Sequence, residues 1–238
     1  MVSAFLDIFR TKRPREPRID PALPASEIHY IVLDTELTGL DEKKDSVLSV
    51  GALRMNGTRI ELGTFFSRKM NPARELNPRS VVVHGVTPSE VEREPDQKPI
   101  LNEFRSFCGD AVLVGHCIAL DLSFLNKALN RFGIPELDNP SIDTYALAEL
   151  LVARGVLRTQ LHGISPSEAL FALAKEFGIA VTSSHDALGD AYITSQIFQR
   201  MLVVSAREGI HTIGELLQAG TMSGGDSEKR PAGQFTNF

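Results

Sequence analysis

Asp34 and Glu36 stand one residue apart at the end of the apolar run Ile28-His29-Tyr30-Ile31-Val32-Leu33. In an extended chain side chains alternate with period two, so both carboxylates share a face. Carboxylates aimed together repel unless a cation sits between them, and oxygen ligands suit Mg²⁺ or Mn²⁺. Asp121 follows a second apolar stretch across the turn Gly115-His116-Cys117-Ile118-Ala119-Leu120. It stands where a helix opens, so it reads either as an N-cap or as a site carboxylate at a strand's C-terminal edge. His185 and Asp190 are five apart. On one continuous helix they would point about 140° apart. Ser183-Ser184 suggests that His185 lies just ahead of the helix, free to reach back over the site, with Asp190 one turn in. Taken singly, each feature has an ordinary reading: solvated loop acids, a helix cap, a surface histidine, a solvated helix aspartate.

The elements that must position these residues are legible from periodicity. Ile28–Asp34 is a β-branched and apolar run typical of a buried strand. Val47–Arg54 and Thr58–Phe66 read as two further strands, with Asn56-Gly57 between them as a hairpin signal. Residues 68–96 are irregular and rich in Pro, with a short helix expected near Asn77–Val83. Apolar spacing predicts helices over Pro99–Cys108 and Asp121–Phe132, and a short strand over Ala111–Gly115. Ser141–Asp143 is an extended piece leading into a helix over Thr144–Ala153. Ser167–Phe177 is a helix closed by Gly178, and Asp186–Val204 is the last long one. Strands first, then strands mixed with helices, predict an α/β fold with a mixed sheet covered by helices.

Of the 238 residues 42% are hydrophobic, enough for one domain with residues to spare for tails. The expected division is an N-terminal extension over 1–26, a catalytic domain over 27–206, and a tail over 207–238. The tail would hold one short helix, Thr212–Ala219, before a disordered Gly/Ser/Pro-rich end. No apolar run is long enough to span a bilayer, and no signal peptide is visible. Two cysteines support neither a disulfide framework nor a zinc site, so a reducing, cytoplasmic setting fits. The net charge of −5 argues against a broad nucleic-acid-binding surface. It leaves room for an enzyme that grips only a strand end.

The segments Asp34-Thr35-Glu36-Leu37-Thr38-Gly39-Leu40, Gly115–Asp121 and His185-Asp186-Ala187-Leu188-Gly189-Asp190-Ala191 resemble the three motifs of the DnaQ-like (DEDDh) 3′→5′ exonuclease family. That family includes the proofreading epsilon subunit of bacterial DNA polymerase III. Val83-His84-Gly85-Val86-Thr87 and Ile142-Asp143-Thr144 resemble family segments on either side of the second motif, and the likeness runs from about Ile28 to Val204. The resemblance implies an RNase H-like fold, a mixed β-sheet flanked by α-helices. It implies two-metal hydrolysis, with Mg²⁺ or Mn²⁺, that releases nucleoside monophosphates from DNA 3′ ends in proofreading or repair. Asp34 would bridge both metals, Glu36, Asp121 and Asp190 would complete the ligand set, and His185 would be the general base. Two divalent ions roughly 4 Å apart can stabilise the attacking and leaving oxygens together. A histidine titrates near neutral pH and can accept the proton of the attacking water. On the substrate side the resemblance places Leu37, Thr38, Gly39 and Leu40, with His84 and His116 as further candidates. Local structural roles are the competing reading for both histidines. The implied partners are DNA 3′ ends, single-stranded or frayed, and a DNA polymerase, with no membrane.

Leu37 stands where the family usually has Thr, Cys117 where it has Asn, and Leu120 where it has Phe. None is a ligand, but the pocket for the terminal nucleotide loses a hydroxyl at position 37. Gln234-Phe235-Thr236-Asn237-Phe238 faintly resembles a sliding-clamp-binding peptide, yet Thr236 departs from the usual Leu or Met. The tail is accordingly read as inert. Two other functions fit the same residues. One is the same chemistry on RNA or short oligonucleotides. The other is a module that binds strand ends or a polymerase without cleaving, which the filling of all five catalytic positions opposes.

Overall fold

Tyr30, Val32, Ile31 and Leu33 are all essentially solvent-free, and they divide between two opposite hydrophobic cores. That alternation defines β1 (His29–Leu37) as the central strand of a five-stranded sheet. The computed structural model describes residues 19–72, 94–181 and 186–221. The short helix expected near Asn77–Val83, His84, His185 and the Gln234–Phe238 segment lie outside the described residues.

β2 (Val47–Asn56) and β3 (Arg59–Lys69) run antiparallel on one side of β1. β4 (Val112–Gly115) and β5 (Ser141–Asp143) run parallel on the other, giving the order β3-β2-β1-β4-β5. Asn56 pairs with Arg59, so the hairpin turns on Gly57-Thr58, one residue beyond the expected dipeptide. Gly57 has φ 53°, and a Cβ there would lie 2.0 Å from the carbonyl oxygen of Ser26. The turn therefore needs glycine twice over, for its backbone and for what packs on it.

Helices α1 (Gln97–Cys108) and α2 (Ala119–Arg131) cover the face that carries Ile31 and Leu33. Four more cover the opposite face: α3 (Thr144–Ala153), α4 (Pro166–Glu176), α5 (Ala187–Arg207) and α6 (Ile213–Ala219). Their starts are written locally. Ser165 and Glu168 form a reciprocal capping box with Pro166 in the first turn, and Thr212 with Glu215 repeats the box at α6. α5 is the longest helix and lies along β1 and β2, with Ile193, Ile197, Phe198 and Met201 in the core. No helix among the described residues is long and apolar enough to cross a membrane.

The packed unit is wider at both ends than residues 27–206. Ala25 belongs to the core and its carbonyl accepts the Tyr30 hydroxyl at 2.8 Å. Ile213 and Leu216 of α6 are fully buried against β5 and α3. The two ends meet: Ala25 N donates to His211 O, Ile213 N to Leu23 O and Gly214 N to Pro21 O, at 2.8–2.9 Å. The prolines at 21 and 24 look like linker residues, but proline loses only its donor. Its carbonyl still pairs, as that of Pro21 does here. Leu216→Ala is therefore expected to cost about 2–5 kcal/mol, the usual range for emptying a buried leucine site. Urea denaturation checks this, and a loss below about 0.5 kcal/mol, typical of surface changes, would put α6 outside the cooperative unit.

Candidate active site

Asp34 pairs across the sheet with Gly51. A Cβ on Gly51 would lie 2.2 Å from the backbone of Ala187 and Leu188, so the first turn of α5 rests directly on the strand. Asp190 lies in that same first turn. The close approach brings Asp34, Glu36 and Asp190 together, one carboxylate oxygen from each lying within 4.8 Å of the others. Beyond Glu36 the pairing with β2 slips by a residue, Glu36 facing Ser49 and Leu37 facing Val47. Such a bulge bends a strand and re-aims the side chains beyond it.

Asp121 comes from the other face. The N-cap of α2 is Ile118, so the capping role open to Asp121 on sequence is not the one it takes. It lies in the helix's first turn, 7% exposed, and its Oδ1 accepts the Thr35 hydroxyl at 2.6 Å. Asp121 thus stands beside the other three acids rather than among them. Its charge is nonetheless the strongest of the neighbouring charges acting on Asp34. Thr35 was not singled out in the sequence. The signal was present: a residue between two same-face acids must point to the opposite face, where α2 lies.

Burial first, then the charges of Asp121, Glu36, Asp190 and Asp186, hold the Asp34 carboxyl well above the usual carboxylate range. Asp186 is a further acid that sequence reasoning passed over; it caps α5, its Oδ2 accepting Gly189 N at 3.1 Å. Burial pushes Asp121 up to about 7, against the opposing hydrogen bonds from Thr35. Converging carboxylates from Asp34, Glu36 and Asp190 form an all-oxygen donor set, which fits a hard divalent cation. An acid whose pKa is higher folded than unfolded contributes stability at low pH. That contribution falls away as pH rises from about 4 toward and through the folded value. In metal-free protein Asp34→Asn should therefore raise stability at pH 7.5, where the buried carboxylate is costly. The same substitution should abolish the rise in melting temperature on adding Mn²⁺. Thermal melts with EDTA and with Mn²⁺ read both, and a variant less stable than wild type in EDTA would contradict the repulsion.

The turn between β4 and α2 is held from β5. Cys117 has φ 58°, the one positive value at a non-glycine among the described residues. Its N–H donates to Asp143 Oδ1 at 2.9 Å, and its carbonyl accepts Leu120 N at 3.1 Å. His116 is 8% exposed, its Nδ1 3.0 Å from Thr144 Oγ1 and its ring edge-on to Tyr145. Burial takes its pKa down to about 4, so it is neutral at working pH. These surroundings are those of a local structural histidine and leave little surface for a substrate. The Asn usual at position 117 tolerates left-handed backbone, whereas a residue such as Cys pays about 1–2 kcal/mol there. Cys117→Asn should accordingly raise the folding free energy by roughly 0.5–1 kcal/mol, measured by urea denaturation. Unchanged or lowered stability would show that the thiol's own contacts outweigh the backbone cost.

In the segment after Glu36, Leu37 and Thr38 are buried and Leu40 is exposed. Thr38 Oγ1 donates to Asp45 Oδ1 at 2.9 Å, and Asp45 Oδ2 accepts Asp41 N at 2.9 Å. The Asp45 carboxylate also fills the space a Cβ on Gly39 would need. Of these four residues Leu40 therefore offers the apolar surface, while Leu37 packs into the core on the α1–α2 side.

The model of the Exonuclease family matches residues 31–198. A DNA polymerase III PolC-type protein of Halalkalibacterium halodurans is 31% identical over 181 residues, 76% of this chain and 12% of that protein. A DNA polymerase III subunit epsilon-like protein of Rhodobacter capsulatus is 32% identical over 198 residues, 82% of this chain and 26% of that one. The chain thus spans between about an eighth and a quarter of the length of these relatives. Among solved structures, Exonuclease X in complex with 5′ overhanging duplex DNA superimposes with TM-score 0.60 at 21% identity, covering 80% of this chain and 99% of that one. E. coli Exonuclease I in complex with a dT13 oligonucleotide gives TM-score 0.67 at 18% identity, covering 76% and 42%. The mixed five-stranded sheet flanked by helices is the RNase H-like fold of these neighbours.

Proposed function

Given that the chain belongs to the Exonuclease family, we propose that it is a metal-dependent 3′→5′ exonuclease releasing nucleoside monophosphates from DNA 3′ ends, in replication proofreading or repair. The observation that carries this reading is the meeting of Asp34, Glu36 and Asp190 over the glycine contact, with Asp121 beside them. Of the two structural neighbours, one is in complex with duplex DNA and the other with a dT13 oligonucleotide. The two relatives are DNA polymerase III proteins. These likenesses support DNA as substrate and a polymerase as the working partner.

Asp34, Glu36 and Asp190, with Asp121 beside them, would hold the cations. Two divalent cations, Mg²⁺ or Mn²⁺, would supply charge to offset the phosphate in the transition state and help activate water. Each of these acids binds its cation as the carboxylate, so the raised proton affinity of Asp34 and Asp121 makes loading favoured by rising pH. His185 directly precedes the α5 cap Asp186 in sequence and would take the proton of the attacking water. Leu40 gives the terminal nucleotide an apolar contact at the mouth of the β1–β2 loop.

The test uses purified protein with Mn²⁺ or Mg²⁺ and 5′-labelled single-stranded DNA, mismatched duplex and RNA in parallel. The expected result is EDTA-sensitive shortening of DNA from the 3′ end with monophosphate release. Asp34→Ala and His185→Ala should each lower the rate by about 10²–10⁴-fold. No EDTA-sensitive release from any substrate would overturn the enzyme reading, preference for RNA would overturn the substrate, and full activity in both variants would overturn the site.

A further inference from the structure

Asp143 closes β5 and lies opposite Gly115, the last residue of β4. Its Oδ1 accepts two backbone N–H groups, from Cys117 at 2.9 Å and from Tyr145 at 2.8 Å. The second bond caps α3. The first crosses to the turn that carries the chain from β4 into α2, at the residue held in left-handed backbone. Thr144 reinforces the tie, its hydroxyl donating to Gly115 O at 3.2 Å and lying 3.0 Å from His116 Nδ1. Gly115, His116 and Cys117 are thus each bound to the Asp143-Thr144 corner. Asp121 comes one turn of chain later, close enough for its carboxylate to feel that of Asp143. A backbone unfavourable for cysteine does not hold itself in place, and Asp121 inherits its position from that backbone.

We propose that Asp143 is a positioning residue: through the backbone of Cys117 it sets the first turn of α2, and so aims Asp121 at Asp34 to complete the cation site. The inference rests on the metal-dependent reading above. Both bonds fall on one oxygen, so a carboxamide with its carbonyl in the same place serves equally and the charge is not what matters. Asp143→Asn keeps both bonds. Asp143→Ser keeps an oxygen able to cap α3 but is too short to reach Cys117. The pair separates the cap, a matter of stability, from the reach to Cys117, a matter of aim.

The experiment is Mn²⁺ titration of full-length protein by calorimetry, with melting temperatures recorded alongside and no nucleic acid present. Asp143→Ser should weaken Mn²⁺ binding about 10–100-fold, as loss of supporting hydrogen bonds around metal ligands does. Asp143→Asn should stay within about threefold of wild type. In an Asp121→Asn background Asp143→Ser should cause no further loss, because the residue it acts through is already neutralised. Wild-type affinity in Asp143→Ser overturns the proposal. So does an equal loss in the Ser and Asn variants, an undiminished loss in the Asp121→Asn background, or a wild type that binds no Mn²⁺. A wild type that binds Mn²⁺ but cuts no nucleic acid sinks the nuclease reading alone.

Discussion

A helix can rest on a strand's backbone only where the strand carries no side chain. Gly51 provides that gap, and the first turn of α5 occupies it. The meeting of Asp190 with Asp34 and Glu36 depends on this contact. Asp34 lies directly across from Gly51, so the helix that fills the gap carries Asp190 into the company of Asp34 and Glu36. A methyl group at position 51 would have to push backbone atoms, which cannot swing aside as a side-chain tip can. The glycine works against β propensity in the middle of a buried strand, a local violation of the kind that collects at functional sites.

The same contact concentrates negative charge where it is costly. Burial raises the proton affinity of Asp34 and Asp121, and the charges of the neighbouring acids raise that of Asp34 further. A cation and a proton compete for that affinity, so the unfavourable charge density is also the source of binding strength. The rest of the molecule compensates in ordinary ways. Two apolar cores face β1 from either side, and two of the four helices on the α5 side begin in complete capping boxes.

Much of this was legible in the sequence because it is local. The unbroken apolar run around Tyr30 announced a buried strand, and helical spacing located the cores of α1 through α5. The Asp-x-Glu pair needed only period two to share a face. What escaped depends on contacts between distant segments. The involvement of Thr35 with Asp121 requires knowing that α2 lies behind β1. Asp143 reads in the sequence as part of a family-like segment without a role of its own, because its partner, Cys117, meets it only through the parallel pairing of β4 and β5. The end segments read as linkers because their prolines and polar residues suggest one. Composition does not reveal that residues 21–25 and 211–214 exchange hydrogen bonds.

The order of the acids along the chain has a consequence for timing. The β1–β2–β3 hairpins close over short loops and can form early, bringing Asp34 and Glu36 into position with them. Asp121 arrives with the parallel strand β4, which must wait for a long crossover. Asp190 comes from farther along still, on α5, which packs on β1 and β2. A nascent or half-unfolded copy therefore has its acids scattered and holds no cation. The site that could hold a cation is thus completed only with the fold itself, and an unfinished chain lacks it.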